Sequence, residues 1–120
     1  MSEAMQLREV SAAETSKRLK NGEIILVDVR EPQEFMAERI HGALLFPLST
    51  FEPNLLPSPG GRPVVFHCGS GKRSATAVMK CLAAGIGHTT HMTGGMLAWK
   101  AAGLPIVEID PATGQPRERR

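Results

Sequence analysis

The chain has 120 residues, 42% of them hydrophobic and 22% charged, with a formal net charge of +2. That length builds one domain with its own core and no need of disulfide staples. About half of the positive excess lies at the C-terminal end, where Arg117, Arg119 and Arg120 stand against Asp110 and Glu118; the body is nearly neutral, which argues against a nucleic-acid face built on bulk charge.

Ser11 followed by Glu14 reads as a capping box, opening a helix that ends near Lys20 with Gly22 as its stop. Ile24-Ile25-Leu26-Val27 is a continuous apolar run, the pattern of a strand covered on both faces. It runs into Asp28-Val29-Arg30, and Pro32 fits the first turn of a short helix reaching about Glu38. Ala43 to Phe46 is a second short strand. Residues 49–61, with Pro53, Pro57, Pro59, Gly60 and Gly61, predict one helical turn at most and then loop.

Val64-Val65-Phe66-His67 is the next strand, followed by a glycine-rich stretch. Ala75, Val78, Met79, Leu82 and Ala83 then fall at i, i+3, i+4, i+7 and i+8, one buried helical face. Gly85 and Gly87 end that helix, a short strand covers Thr90-His91-Met92, and a last helix runs from Met96 to about Ala102. Residues 109–120 are polar and proline-containing and are expected to lack fixed structure, leaving residues 1–108 as the domain. Short apolar strands alternating with helices imply right-handed βαβ units and a parallel sheet, with ligands binding beyond the carboxyl ends of its strands.

Cys68 stands at such an end. A thiol between a strand and a helix N-terminus meets backbone N–H groups and a helix dipole that favour the thiolate. Gly69 and Gly71 let the loop curl so that successive amides converge on one point, and Lys72 and Arg73 add positive charge. Nucleotide readings of the loop fail: Phe66 stands where a Walker A glycine is required, Arg73 follows Lys72 in place of Ser or Thr, and Ser74 occupies the last glycine of a dinucleotide fingerprint. The nucleophile reading requires a thiol that is ionised and reachable from solvent.

Cys68 and Cys81 are too few for a disulfide framework and lack zinc spacing. With a helix between them they sit roughly 12 Å apart, beyond the ~7 Å limit for a bridge. Two free thiols suit a reducing compartment. The N-terminal Met1-Ser2-Glu3-Ala4-Met5-Gln6 shows no signal-peptide pattern, and no window approaches ~18 consecutive apolar residues, so a cytoplasmic protein without membrane or nucleic-acid partners is expected. Cys81 and Trp99 read as packing residues, and His67 as a satisfied internal residue on the opposite sheet face from Cys68. His88 and His91 have no third ligand at metal spacing, so no metal is expected.

His67-Cys68-Gly69-Ser70-Gly71-Lys72-Arg73 resembles the active-site loop of the rhodanese (sulfurtransferase) family in its Cys-x-x-Gly-x-Arg form. Further matches are Asp28-Val29-Arg30-Glu31-Pro32 with Glu34-Phe35, Ile40-His41-Gly42-Ala43, and Gly94-Gly95 with Ala98-Trp99, Gly103 and Pro105, in order over residues 5 to 107. Many members carry His before that Ile, where this chain has Arg39. The resemblance implies a rhodanese-like α/β fold, a central parallel sheet of four to five short strands flanked by helices on both faces. It implies a thiosulfate sulfurtransferase-like enzyme without cofactor, which moves a sulfane sulfur from thiosulfate or a similar donor to cyanide or a thiol acceptor through a Cys68 persulfide. A protein persulfide is a further candidate donor. Gly69, Ser70, Gly71, Lys72 and Arg73 would form the substrate-binding loop, and Asp28 and Arg30 would brace it; a helix-capping Asp and a surface Arg remain the plain alternative. A sulfur carrier or redox-regulatory module loaded by a partner is the non-turnover reading. Cys-dependent phosphatases and arsenate reductases are disfavoured, because their arginine is the sixth residue after the cysteine and Ser74 stands there. Gly-Ser-Gly also resembles the loop of enzymes using 3-mercaptopyruvate, which continue with Val-Thr.

Overall fold

In a computed structural model of the chain, residues 6–57 and 59–119 are described; Met1–Met5, where a leader was sought, and Arg120 lie outside them. The elements alternate along the chain as β1 (Arg8–Val10), α1 (Ala12–Lys20), β2 (Ile25–Asp28), α2 (Pro32–Ala37), β3 (Glu38–Arg39), β4 (Leu44–Leu45), β5 (Val64–His67), α3 (Lys72–Ala83), β6 (Thr90–Met92), α4 (Gly95–Ala101), β7 (Ile106–Ile109) and β8 (Pro116–Arg119). Five of the strands form a parallel sheet in the order β1-β6-β5-β2-β4. β5, which delivers Cys68, is the middle strand.

Side chains alternate across β2 and β5 to feed two cores, as a doubly covered sheet requires. Ile25, Val27, Val64, Phe66 and Cys68 pack with Ala77, Val78 and Cys81 of α3 on one face. Ile24, Leu26 and Val65 pack with Ala12 of α1 and Met96 and Trp99 of α4 on the other. Ser11 caps α1 as its spacing predicts, its hydroxyl accepting the Glu14 N–H at 3.1 Å. The proline-rich segment makes three separate 3₁₀ turns rather than one.

The structure corrects the sequence reading in three further places. β1 precedes the first predicted element; it is a polar, exposed edge strand with no apolar run to announce it. The buried face of α3 is Ser74, Ala77, Val78 and Cys81, rotated from the predicted stripe, and Met79 is 55% exposed. The helix is set by the loop before it, which draws Ser74 inward beside Cys68 and thereby turns Cys81 to the core. Third, the expected tail folds. Asp110 caps a turn, its carboxylate accepting the Ala112 N–H at 2.9 Å and its carbonyl the Gly114 N–H at 2.7 Å, and β8 returns antiparallel to β7 in a three-stranded sheet with β3. The charges that suggested a solvated segment are cross-strand partners: Arg117 and Arg119 both reach Glu108, at 3.0 and 3.1 Å.

Candidate active site

Residues 68–71 leave the carboxyl end of β5 and curl back into α3. Gly71, the N-cap of α3, has φ +106, a conformation that strains any side-chain-bearing residue. The curl aims two main-chain donors at one sulfur: the N–H groups of Gly71 and Ser74 reach Cys68 Sγ at 3.1 and 3.3 Å. The Ser74 hydroxyl lies 3.6 Å from the same sulfur. The loop is held from outside by α4, whose Met96 and Leu97 N–H groups donate to the carbonyls of Cys68 and Gly69 at 2.8 and 3.1 Å.

Burial pushes the Cys68 thiol up, but the Ser74 amide and hydroxyl and the Gly71 and Ser70 amides outweigh it, and the net direction is below the ordinary value. Cys81, with burial alone acting on it, is pushed up to about 11. The two free cysteines differ in chemistry because only one ends in a ring of donors.

The arginine of the loop is turned toward a carboxylate. Arg73 Nη1 and Nη2 donate to Glu34 Oε1 and Oε2 at 2.7 and 3.0 Å, a bidentate pair, and that bond foremost holds Glu34 down to about 2. Lys72 is exposed at the start of α3. The charge support that sequence assigned to both cations therefore comes first from main-chain amides and from Ser74, one residue beyond the expected loop.

Asp28 and Arg30 do not adopt their plain alternative. Asp28 is fully buried and Arg30 is 4% exposed; Asp28 Oδ1 accepts from Arg30 N and Nε at 2.9 and 3.0 Å, Oδ2 accepts from Nη2 at 2.8 Å, and Nη2 also donates to the Glu38 carbonyl at 2.7 Å. Glu31, not Asp28, caps α2. Arg30 ties the end of β2 to β3 and lines, with Glu34, Gly69, Ser70, Arg73 and Leu97, a cleft of about 290 Å³ beside the loop. His67 points to the face away from Cys68 as alternation requires and is fully buried; its Nδ1 lies 3.3 Å from the Cys68 carbonyl, whereas Nε2 has no hydrogen-bond partner and lies 3.5 Å from Asp28 Oδ2. Burial, the largest influence, pulls its pKa down.

Cys68 itself is 1% exposed. The sequence reading asked for a thiol in reach of solvent; here it is buried, packed with Val64 and Phe66 of β5 and Ala77 and Val78 of α3. Two further groups stand behind the sulfur. Ser74 Oγ is 2.8 Å from His91 Nδ1, and His91 Nε2 is 3.5 Å from Glu9 Oε2. Sequence carried a signal for Ser74, an amide in the first turn of a helix that follows the nucleophile; for His91, in a three-residue strand, it carried none.

Residues 11–102 match the rhodanese-like domain. A protein named "Sulfurtransferase" from Allochromatium vinosum is 35% identical over 84% of this chain and 95% of its own length. An uncharacterized protein, slr1261 of Synechocystis, is 41% identical over 93% of this chain; the match spans 63% of that relative's length. Among solved structures, a rhodanese-related protein from Thermoplasma volcanium superposes with a TM-score of 0.70 at 27% identity, over 83% of this chain and 97% of that one. Matched from the cap of α1 to the end of α4, with Cys68 at the head of the middle strand, the chain belongs to the rhodanese family.

Proposed function

We propose that the chain transfers sulfane sulfur through a persulfide on Cys68. The observation that carries this reading is the convergence of two N–H groups and a hydroxyl on Cys68 Sγ, an arrangement that stabilises a charged sulfur in either state. The Cys68 thiolate attacks the outer sulfur of thiosulfate; a new S–S bond forms, the donor's S–S bond breaks, and its electron pair leaves with sulfite. The persulfide sulfur is then attacked by cyanide or a thiol, and its bond to Sγ breaks to return the thiolate. Charge and electrons balance in both steps with sulfur alone, so no cofactor is required. Gly69, Ser70 and Gly71 hold the reacting sulfur, while Lys72 and Arg73 meet the donor's oxygens. Asp28 and Arg30 act as the brace behind the cleft. The reading places the protein in the cytoplasm, with a small donor and acceptor as partners.

The burial of Cys68 sets the condition: the loop must open to load. An opening equilibrium of one part in a hundred lowers the loading rate ~100-fold, a cost of about 2.7 kcal/mol. The same burial favours a second reading, a carrier whose partner, a protein persulfide, opens the loop as it docks. Turnover separates the two. Thiosulfate, 3-mercaptopyruvate and a cysteine desulfurase are compared as donors, with thiocyanate formation as readout and Cys68→Ser as control. Multiple turnovers with a small donor support the enzyme, whereas loading by the desulfurase alone makes the chain a carrier. No loading from any donor overturns the sulfur-transfer reading.

A further inference from the structure

We propose that His91, acting through Ser74, takes and returns the proton of the Cys68 thiol, with Glu9 as its outlet to solvent. The proposal rests on the reading of Cys68 as the nucleophile. Register pairs Glu9, His91 and Phe66 across β1, β6 and β5, so all three share the face that α3 covers. Ser74 and His91 are 0% and 4% exposed, whereas the Glu9 side chain is 63% exposed. The result is one row of groups from a buried sulfur to water: Sγ to Ser74 Oγ at 3.6 Å, Oγ to His91 Nδ1 at 2.8 Å, and Nε2 to Glu9 Oε2 at 3.5 Å.

The Ser74 hydroxyl has a single proton and two acceptors, the Gly71 carbonyl at 3.2 Å and His91 Nδ1 at 2.8 Å. We assign it to Nδ1, the nearer acceptor, which places the imidazole's own proton on Nε2, facing the Glu9 carboxylate. The S–H of Cys68 then donates to Oγ. When the thiol proton passes to Oγ, the hydroxyl proton passes to Nδ1. The products are a thiolate, an unchanged serine and an imidazolium. The thiolate accepts from the Gly71 and Ser74 amides and from the same hydroxyl. The imidazolium releases its Nε2 proton past Glu9, and the sequence reverses when the thiol re-forms.

The placement explains a buried ring nitrogen that has no hydrogen-bond partner in the resting structure. A purely structural imidazole in that position leaves a polar atom unsatisfied at a cost, while a proton carrier needs a nitrogen able to change state there. Among the described residues Glu9 is the one ion-pair partner of His91. From α3 the ring meets the Ser74 hydroxyl, with the Cys81 thiol deeper on the same helix face; Lys72 and Lys80 are exposed and Arg73 is turned to Glu34.

The test reads ionisation with no sulfur donor present, so its failure and that of the sulfur-transfer reading are distinguishable. The Cβ shift of isotope-labelled Cys68 and the ring nitrogen shifts of His91 are followed from about pH 5 to about pH 10. No reagent has to reach the buried sulfur. Ser74→Ala and His91→Asn are each expected to raise the Cys68 inflection by about one unit, roughly ten-fold less thiolate at a pH below it. The double variant is expected to move no further than Ser74→Ala alone, because His91 reaches the thiolate only through the Ser74 hydroxyl that it orients. A Cys68 inflection unmoved in His91→Asn, or shifts that add in the double variant, overturns the proposal. Should the buried variants fail to fold, the wild-type protein decides: the His91 ring nitrogen shifts must change over the pH range in which the Cys68 Cβ shift changes. Ring nitrogens that do not respond there also overturn it.

Discussion

Gly95 is the position at which a single methyl group should separate folding from site geometry. Its φ is +54, and a Cβ built there would stand 2.7 Å from the carbonyl carbon and 2.8 Å from the carbonyl oxygen of Gly69, and closer still to the carbonyl oxygen of Cys68. Contacts of this kind relax at about 3.5 Å, so backbone must move by about 1 Å. The movement breaks the bonds from Met96 and Leu97 that hold the loop. Gly103 is the control, with φ +72 and nothing within 4 Å of the same Cβ. Gly103→Ala costs only the left-handed backbone penalty, about 1 to 2 kcal/mol. Gly95→Ala adds two lost hydrogen bonds and steric strain, for a total of about 3 to 5 kcal/mol. At about 4 °C per kcal/mol, thermal unfolding should place the two variants well apart. Sulfur loading of Cys68 should stay within about two-fold of wild type in Gly103→Ala and fall about 100-fold in Gly95→Ala, the expected penalty of a 1 Å misplacement. Gly69→Ala, whose Cβ meets only the flexible Arg73 side chain at 3.3 Å, belongs between them. Equal losses of stability and loading at Gly95 and Gly103 would refute the claim that α4 shapes the loop.

Three further outcomes are expected. Asp28→Ala strands the buried Arg30 guanidinium and should lower the unfolding free energy by about 3 to 5 kcal/mol in urea. Arg73→Ala should raise the KM for thiosulfate about ten-fold, yet cost about 1 kcal/mol or less because its pair with Glu34 is more than one-third exposed. The pH sign follows from Glu34, whose folded pKa of about 2 lies below the ordinary value of 4.5: the pair's contribution is present above 4.5 and is lost as pH falls toward 2. Glu34→Gln should erase that acid dependence, and an unchanged acid limb in the variant would contradict the assignment. Arg117→Ala with Arg119→Ala should speed amide exchange in β8, with a loss of about 1 kcal/mol or less, and leave sulfur loading unchanged.

The layout of the domain was legible wherever local chemistry and tertiary demand agree. The apolar runs of β2 and β5 announce strands buried on both faces, and the Cys-to-Arg loop between β5 and α3 marks the reacting atom. Sequence fell short where long-range partners decide. The α3 periodicity named Met79 and Ala83, but the loop turns Ser74 inward and rotates the helix about its axis. Composition made 109–120 look solvated, because the match of Arg117 and Arg119 to Glu108 exists only across strands. Arg73 was expected to serve an anion; that its fork rests on Glu34 could not be read across 39 positions. His91 and Glu9 meet only through the pairing of β1 with β6, a register that no local pattern encodes.

The most direct measurement is mass mapping of the two cysteines after incubation with thiosulfate. The account predicts an added mass of about 32 Da, one sulfur, on the peptide carrying Cys68 and none on the peptide carrying Cys81. Both peptides unmodified, or sulfur distributed equally between them, would contradict it.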